Sequence, residues 1–234
     1  MEAMEGHIYR AFDLELKELK EKLLYEGGLV ERAIQDAIKA LLERTSDLAQ
    51  KVIEDDDSID SLEVEIDAFC LKLLALRQPA ARDLRFITTA IQINYDLERI
   101  GDMAVNICER VLELNEEPQL KPYIDLPTMA GIVQMMVKES LDAFVKEDVQ
   151  LALRVMREDA KVDDYLDQIF RELLTYMIEE PKTISRATRL LFISKYLERM
   201  GDHAVSIAEL VIFMVEGKII RHLRPPREEQ HTDE

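Results

Sequence analysis

Two six-residue stretches of this chain are nearly identical: Leu97-Glu98-Arg99-Ile100-Gly101-Asp102 and, one hundred residues later, Leu197-Glu198-Arg199-Met200-Gly201-Asp202. In each copy a glutamate precedes an aspartate by four positions. That spacing places both carboxylates on one face of a helix, one turn apart. Like charges placed this way destabilise a helix by about 0.2–0.5 kcal/mol per pair. Their repetition in matching context therefore predicts that each pair holds a cation.

An apolar seam runs through each copy of the motif. Its spacings alternate between three and four residues, which is typical of a helix packed in a bundle. The two seams match position by position at an offset of one hundred, which predicts a duplicated chain. The first consists of Phe86, Ala90, Ile93, Leu97, Ile100, Ala104, Ile107, Val111 and Leu114, and the second of Leu190, Ile193, Leu197, Met200, Ala204, Ile207, Val211 and Met214.

Composition agrees with an all-helical protein. The chain has 234 residues, of which 47% are hydrophobic. This is enough apolar material to form a packed core, and it excludes disorder of the whole chain. Only seven glycines and seven prolines are present, which favours long helices over a turn-rich β fold. The formal charge of -18 argues against nucleic-acid binding, because phosphate contacts need a basic face. It suits metal cations or basic partner surfaces.

We expect an all-α fold in which six long helices form a tandem duplication of two antiparallel three-helix bundles. Gly27-Gly28 is expected to mark a kink or a close helix approach, and Asp125 to cap the fourth helix. The expected helices span about 7–44, 46–78, 83–114, 127–146, 148–179 and 185–216. The expected divisions are a first bundle at 1–117, a linker at 118–124, a second bundle at 125–218 and a polar tail at 219–234.

Localisation is expected to be cytoplasmic. The first ten residues are too polar for a signal peptide, and no apolar run is long enough to cross a membrane. Cys70 and Cys108 sit in apolar helical segments without CxxC spacing, which predicts buried thiols in a reducing compartment.

The hairpin turns predict which residues meet the repeated carboxylates. If the second and third helices fold back at Pro79, Glu98 lies opposite Asp60. Asp102 then lies opposite Asp56, so four carboxylates meet across one helix pair.

The second half repeats this arrangement around Pro181. Glu198 is expected opposite Asp163, and Asp202 opposite Asp159. Glu109 and Glu209 lie on the same helix faces, seven residues beyond Asp102 and Asp202 respectively. They are weaker candidates for metal ligands. His203, directly after Asp202, is expected on a neighbouring face.

No protein cation is expected to neutralise the first cluster, because no basic residue flanks it and Arg99 should point about 100° around the helix from Glu98. In the second half Lys195 lies one turn before Glu198, which makes an ion pair more plausible there. Four facing carboxylates would repel one another or take up protons with raised pKa values. A metal ion held through oxygens resolves this repulsion, and Mg, Mn, Fe and Ca all accept such ligands.

Three sets of segments form a recognisable pattern across nearly the whole chain. They are Val52-Ile53-Glu54-Asp55-Asp56 with Ile59-Asp60, Arg77-Gln78-Pro79-Ala80-Ala81-Arg82-Asp83-Leu84-Arg85, and both LERxGD stretches. Taken in this order, they resemble the PhoU family of bacterial phosphate-uptake regulators. The second half departs from the family pattern at Ser185-Arg186-Ala187 after its turn and at Ser206, which stands where Asn106 predicts an asparagine.

The resemblance implies two three-helix bundles with multinuclear metal clusters, iron among them, on paired E/DxxxD motifs; Mg, Mn, Zn and Ca remain compatible. It implies a non-enzymatic regulator that damps phosphate uptake and phosphate-starvation signalling. The implied partners are the ATPase of the phosphate ABC transporter and a sensor histidine kinase, which would hold the protein peripherally at the inner membrane. A homodimer is expected from exposed bundle faces.

Two alternatives stay open. A ferritin-like di-iron protein also binds metal through carboxylates, but it normally uses Glu-x-x-His pairs, which this sequence lacks. A histidine phosphotransfer module needs an exposed histidine on a bundle helix. Only His203 is placed for that role, inside an acidic stripe that would repel phosphoryl groups.

Overall fold

The computed structural model describes the backbone of residues 2–220 and the side chains of residues 11–220, so the last part of the expected polar tail lies outside the described residues. Within this range the fold is helical and contains no strand, which confirms the expected fold class. A short 3-10 turn at Pro181–Thr183 precedes the last helix. The helices are α1 (Glu2–Glu43), α2 (Ser46–Asp55), α3 (Asp57–Arg77), α4 (Ala81–Asn115), α5 (Asp125–Lys146), α6 (Val149–Glu179) and α7 (Ile184–Glu216).

The second expected helix is divided in two, contrary to the sequence prediction of one helix over 46–78. The break falls at Asp56, inside a run of four acidic residues from Glu54 to Asp57. Like charges packed this closely weaken a helix. The backbone at Asp56 keeps helical angles, and its carbonyl accepts from the N–H groups of Ile59 at 2.8 Å and Asp60 at 3.1 Å. The interruption is therefore a local turn, and the plan of six long helices is preserved.

The N-termini of α6 and α5 differ in how they are capped. Asp148 caps α6 as its carboxylate accepts from the backbone N–H groups of Gln150 at 2.9 Å and Leu151 at 3.0 Å. Asp125, expected to cap the fourth helix, is instead the first residue of α5, and Ile124 occupies the cap position without a side-chain bond. A carboxylate in the first helical turn still complements the helix dipole there.

Helices α4 and α7 form the centre of the molecule and pack against each other more extensively than any other pair. Their two seams are buried, and Leu97, Ile100, Leu197 and Met200 are fully inaccessible to solvent. The helices that carry the repeated motifs thus also join the two bundles. Cys70 and Cys108 are buried free thiols, as the sequence predicts.

Gly27 marks a close approach between the two halves. A Cβ at this position would lie 2.1 Å from Leu141 Cδ1 on α5, whereas a Cβ at Gly28 would meet nothing within 4 Å. Helix α1 continues through both glycines. Of the two sequence interpretations, the close helix approach is confirmed at Gly27.

No helix in the described part of the chain combines the length and apolarity needed to span a bilayer.

Candidate metal-binding sites

The first half brings Asp56 beside the repeated motif on α4. The Asp56 Oδ1 atom lies 3.3 Å from the point where a Cβ on Gly101 would stand, so the missing side chain makes room for this carboxylate. The pKa of Asp56 is raised to about 6, first because burial penalises its charge and then because of the neighbouring charges of Asp60, Asp102 and Glu98. We call these four carboxylates the first outer site.

Glu98 is the more buried carboxylate of the α4 pair. Its pKa is raised, mainly by desolvation and next by the charge of Asp102, while Arg99 acts in the opposite direction. Asp60 also raises it, in agreement with the predicted position of Asp60 opposite Glu98. The Oε2 atom of Glu98 is buried without a hydrogen-bond partner.

Arg99 does not point away from the acidic face as the sequence predicted. Its Nη1 donates to Asp102 Oδ2 at 2.8 Å, and its Nε lies 3.2 Å from Glu98 Oε2 without hydrogen-bond geometry. The guanidinium also stacks over the Tyr95 ring at 5.1 Å. The prediction considered only the direction in which each Cβ leaves the helix. A long flexible side chain such as arginine can fold back along its own helix. Arg99 therefore supplies part of the charge compensation in the first half.

The second outer site is formed by Asp159, Asp163, Glu198 and Asp202. Asp159 Oδ1 lies 3.8 Å from the position of a Cβ on Gly201, which repeats the geometry of the first half with a looser fit. The pKa of Asp202 is raised by desolvation, by Glu198 and by Asp163. Lys195 Nζ donates to Glu198 at 3.1 Å, so the predicted ion pair is present.

The two weaker candidates lie further along α4 and α7. Glu109 is exposed and pairs with Arg110 at 3.1 Å. Glu209 is partly buried on α7. Their participation in metal binding stays a prediction.

A buried contact between the halves involves Asp96, which sequence reasoning missed. Its carboxylate lies 2.8 Å from His203 Nδ1 and accepts from Ser206 Oγ at 2.9 Å, both on α7. His203 and Ser206 replace the repeat-equivalent Met103 and Asn106, so these two departures from the repeat converge on one residue. We call this group the Asp96 clasp. Comparing the repeats for paired polar differences is the signal that could have found it.

Glu26 is a second residue that the sequence reasoning missed. It is 0% exposed on α1, and neither of its carboxylate oxygens has a hydrogen-bond partner. Its pKa is raised to about 9 by burial and then by the charges of Glu63, Glu98 and Asp67. Its burial could have been predicted from its position three residues after Leu23, because residues three apart lie on the same face of a helix.

The donor set of the outer sites fits a hard cation, because it consists of carboxylate oxygens with raised pKa values and one buried unpartnered oxygen at Glu98. In the conformation seen, no three Asp, Glu, His or Cys side chains among the described residues converge closely enough to hold a metal ion. Ligation would require the carboxylates to turn towards one another. In the first half it would also compete with Arg99.

The fold and its paired acidic faces define a class of duplicated three-helix bundles. Comparison with known proteins places the chain within it: the PhoU domain model matches twice, at residues 25–111 and 126–211. The phosphate-specific transport system accessory protein PhoU homolog of Pseudomonas aeruginosa is 42% identical over 233 residues, which cover 99% of this chain and 96% of that protein. The chain belongs to the PhoU family.

Solved structures show the same similarity. The crystal structure of PhoU from Pseudomonas aeruginosa superposes with a TM-score of 0.85 at 45% identity, covering 88% of this chain and 100% of that one. The phosphate transport system regulatory protein PhoU from Streptococcus pneumoniae gives 0.84 at 31% identity, with 89% and 98% covered.

Proposed function

We propose that this protein is an accessory regulator of a phosphate-specific transport system. The observation that carries the proposal is the full-length match to a relative of that name, with both repeats present. In the proposed role the protein damps phosphate uptake and starvation signalling by contacting the transporter ATPase and a sensor histidine kinase. These partners would hold it at the cytoplasmic face of the inner membrane. That the protein forms a homodimer stays a prediction.

The regulator acts by binding rather than by catalysis. The geometry of the Asp96 clasp supports this, because Ser206 donates to Asp96 and not to His203. The three side chains therefore do not form a serine–histidine relay. The engagement of His203 with a buried carboxylate also disfavours the phosphotransfer alternative.

The two outer sites are proposed to bind metal ions, with iron clusters as the form expected from family resemblance. Asp56, Asp60, Glu98 and Asp102 would supply the ligands in the first half, and Asp159, Asp163, Glu198 and Asp202 those in the second. Bound cations would offset the repulsion within each set. Gly101 supports the first site, because the absence of a side chain there leaves room for the Asp56 carboxylate beside α4.

The regulatory proposal is tested by co-purification of the intact chain with the phosphate transporter ATPase. We expect retention of the ATPase, and a matched column carrying an unrelated acidic helical bundle should retain none. Equal retention on both columns contradicts the proposal. Glu98→Gln combined with Glu198→Gln then asks whether the outer sites contribute, since loss of metal with unchanged retention would separate metal binding from partner contact. Oxygen-dependent turnover of ferrous iron would favour the ferritin-like alternative.

A further inference from the structure

Beneath the first outer site lies a second group of acidic side chains, contributed by three helices. Glu26 reaches in from α1, Glu63 and Asp67 belong to α3, and Glu98 belongs to α4. The charges of the other three carboxylates all act on Glu26, so these carboxylates lie near it. We call these four residues the inner acidic cluster. Glu98 is shared with the outer site, whereas the other three lie outside the repeated motifs.

Glu26 is the residue that distinguishes this cluster from a solvated acidic surface. Its side chain is completely buried, and both of its oxygens lack hydrogen-bond partners. Burying a carboxyl group without a hydrogen-bond partner is unfavourable, and more so when the group is charged. Proteins usually retain such a group only where something compensates it. A cation among the carboxylates would supply that compensation.

Asn94 adds a further oxygen at the same place. Its amide nitrogen donates to the Glu63 carbonyl at 3.0 Å and to Asp67 Oδ1 at 3.1 Å, which anchors it to α3. Its Oδ1 is buried and unpartnered. Together with Glu26 and Glu98, the cluster thus contains buried oxygens without hydrogen-bond partners from two helices.

The second half retains only one of these four acidic residues, because Glu98 corresponds to Glu198. With the repeats aligned through Gly28 with Gly131 and Asp56 with Asp159, the other three acidic residues correspond to apolar ones. Glu26 aligns with Met129, Glu63 with Leu166 and Asp67 with Phe170. Met129 is fully buried, as expected for an ordinary seam residue. Three separate acidic differences in one region, one of them a completely buried carboxyl group, distinguish a site from chance surface charge.

We propose that the inner acidic cluster binds one divalent cation through oxygen ligands, and that this position exists only in the first half. Carboxylate and amide oxygens suit Mn²⁺, Mg²⁺ or Fe²⁺, and the cluster offers no imidazole or thiolate. The site requires Glu63 and Glu98 to turn towards Glu26, which long and partly exposed side chains can do. The proposal goes beyond the regulatory function and does not depend on it.

The test is a Mn²⁺ titration of the full chain, with bound ions counted by equilibrium dialysis and electron paramagnetic resonance. Asp56→Asn with Asp102→Asn disables the first outer site while leaving the inner cluster intact. Adding Glu26→Gln to this background should weaken the affinity for one of the remaining Mn²⁺ ions by at least about tenfold. Loss of a residue that only hydrogen-bonds a metal ligand already lowers metal affinity by about that factor. Glu21→Gln, the same change at an exposed position of α1, is the matched control and should leave binding unchanged.

The outcomes separate the inner position from the proposed function. Unchanged Mn²⁺ number and affinity on adding Glu26→Gln overturns the inner site. Equal weakening by Glu21→Gln also overturns it, because the effect would then be a general loss of negative charge. If Glu26→Gln does not fold, Asp67→Asn in the same background replaces it with the same expected loss. Failure of ATPase co-purification, in contrast, bears only on the regulatory function.

Discussion

The two halves of the molecule share their apolar seams but differ in the polar groups buried beside them. Beneath the first outer site lies Glu26 among three carboxylates, while the second half has Met129 at the equivalent place. In the second half, His203 and Ser206 on α7 contact Asp96. The first half has Met103 and Asn106 at the equivalent positions of α4. Duplication therefore preserves what packing requires, and the halves specialise through buried polar residues.

The roles of these two differences are distinct. The Asp96 clasp joins the halves, because its carboxylate lies on α4 and both of its partners lie on α7. Glu26 instead lies within one half, next to a repeated motif. Substitutions at the Asp96 clasp and at Glu26, made separately, therefore test each role.

The largest effect is expected when the second half loses both polar groups of the clasp. His203→Met, which restores the repeat-equivalent residue, with Ser206→Ala should lower the free energy of unfolding by about 3 kcal/mol, because a buried Asp96 loses its two partners. Chemical denaturation of the double variant measures this. In a chain that already carries Asp96→Ala, the same pair of substitutions should cost much less. An undiminished cost in that background would show that the clasp is not its origin.

The next effect comes from giving the first half the apolar residue of the second. In metal-free protein at pH 8, Glu26→Met should raise the free energy of unfolding by about 2 kcal/mol, since it removes a buried unpaired carboxyl group.

The pH dependence of the Glu26 effect has a definite sign. The pKa of Glu26 rises from 4.5 to about 9 on folding, so between these values the folded chain holds a proton that the unfolded chain releases. Stability of the unsubstituted chain should therefore fall as pH rises through this window, and Glu26→Met should flatten the fall. Identical slopes for the two chains, measured by thermal unfolding with a chelator present, would contradict this account.

A smaller effect is expected where α1 of the first half meets α5 of the second. Gly27→Ala should lower stability by about 1 kcal/mol, because its Cβ would displace the buried Leu141 side chain. Gly28→Ala is the neighbouring control and should raise stability by about 0.5–1 kcal/mol, since its Cβ meets no atom and glycine disfavours a helix. Equal results for both variants would show that the close approach is not restrictive.

The smallest effect concerns Asp56 in the first outer site. Its pKa rises from 3.8 to about 6 on folding, so the folded chain retains a proton there as pH increases from about 4 to 6. Stability should decline across this window by less than about 1 kcal/mol, given the access of water to this shoulder of the bundle. Asp56→Asn should remove that part of the decline, which urea midpoints at pH 4 and pH 6 compare directly.

Periodicity was sufficient to predict the six-helix plan, the hairpins and the seams, because these depend on spacing alone. It also predicted that Asp56 lies beside the α4 motif. The break at Asp56 and the return of Arg99 to its own helix were missed, since both depend on local charge and on side-chain flexibility. Asp96 was missed for another reason, because its burial is produced by packing against α7, which no single helical pattern contains. Glu26 could have been found from its spacing three residues after Leu23 on α1.

The central claim is that both outer sites hold metal ions and that the first half holds more. Elemental analysis of protein purified without chelators tests this most directly, with Glu98→Gln and Glu198→Gln measured in parallel. The account predicts at least one ion per half, and a larger loss for Glu98→Gln because Glu98 belongs to both the outer site and the inner acidic cluster. Fewer than two metal ions per chain in the unsubstituted protein, or metal content unaffected by either substitution, would contradict it.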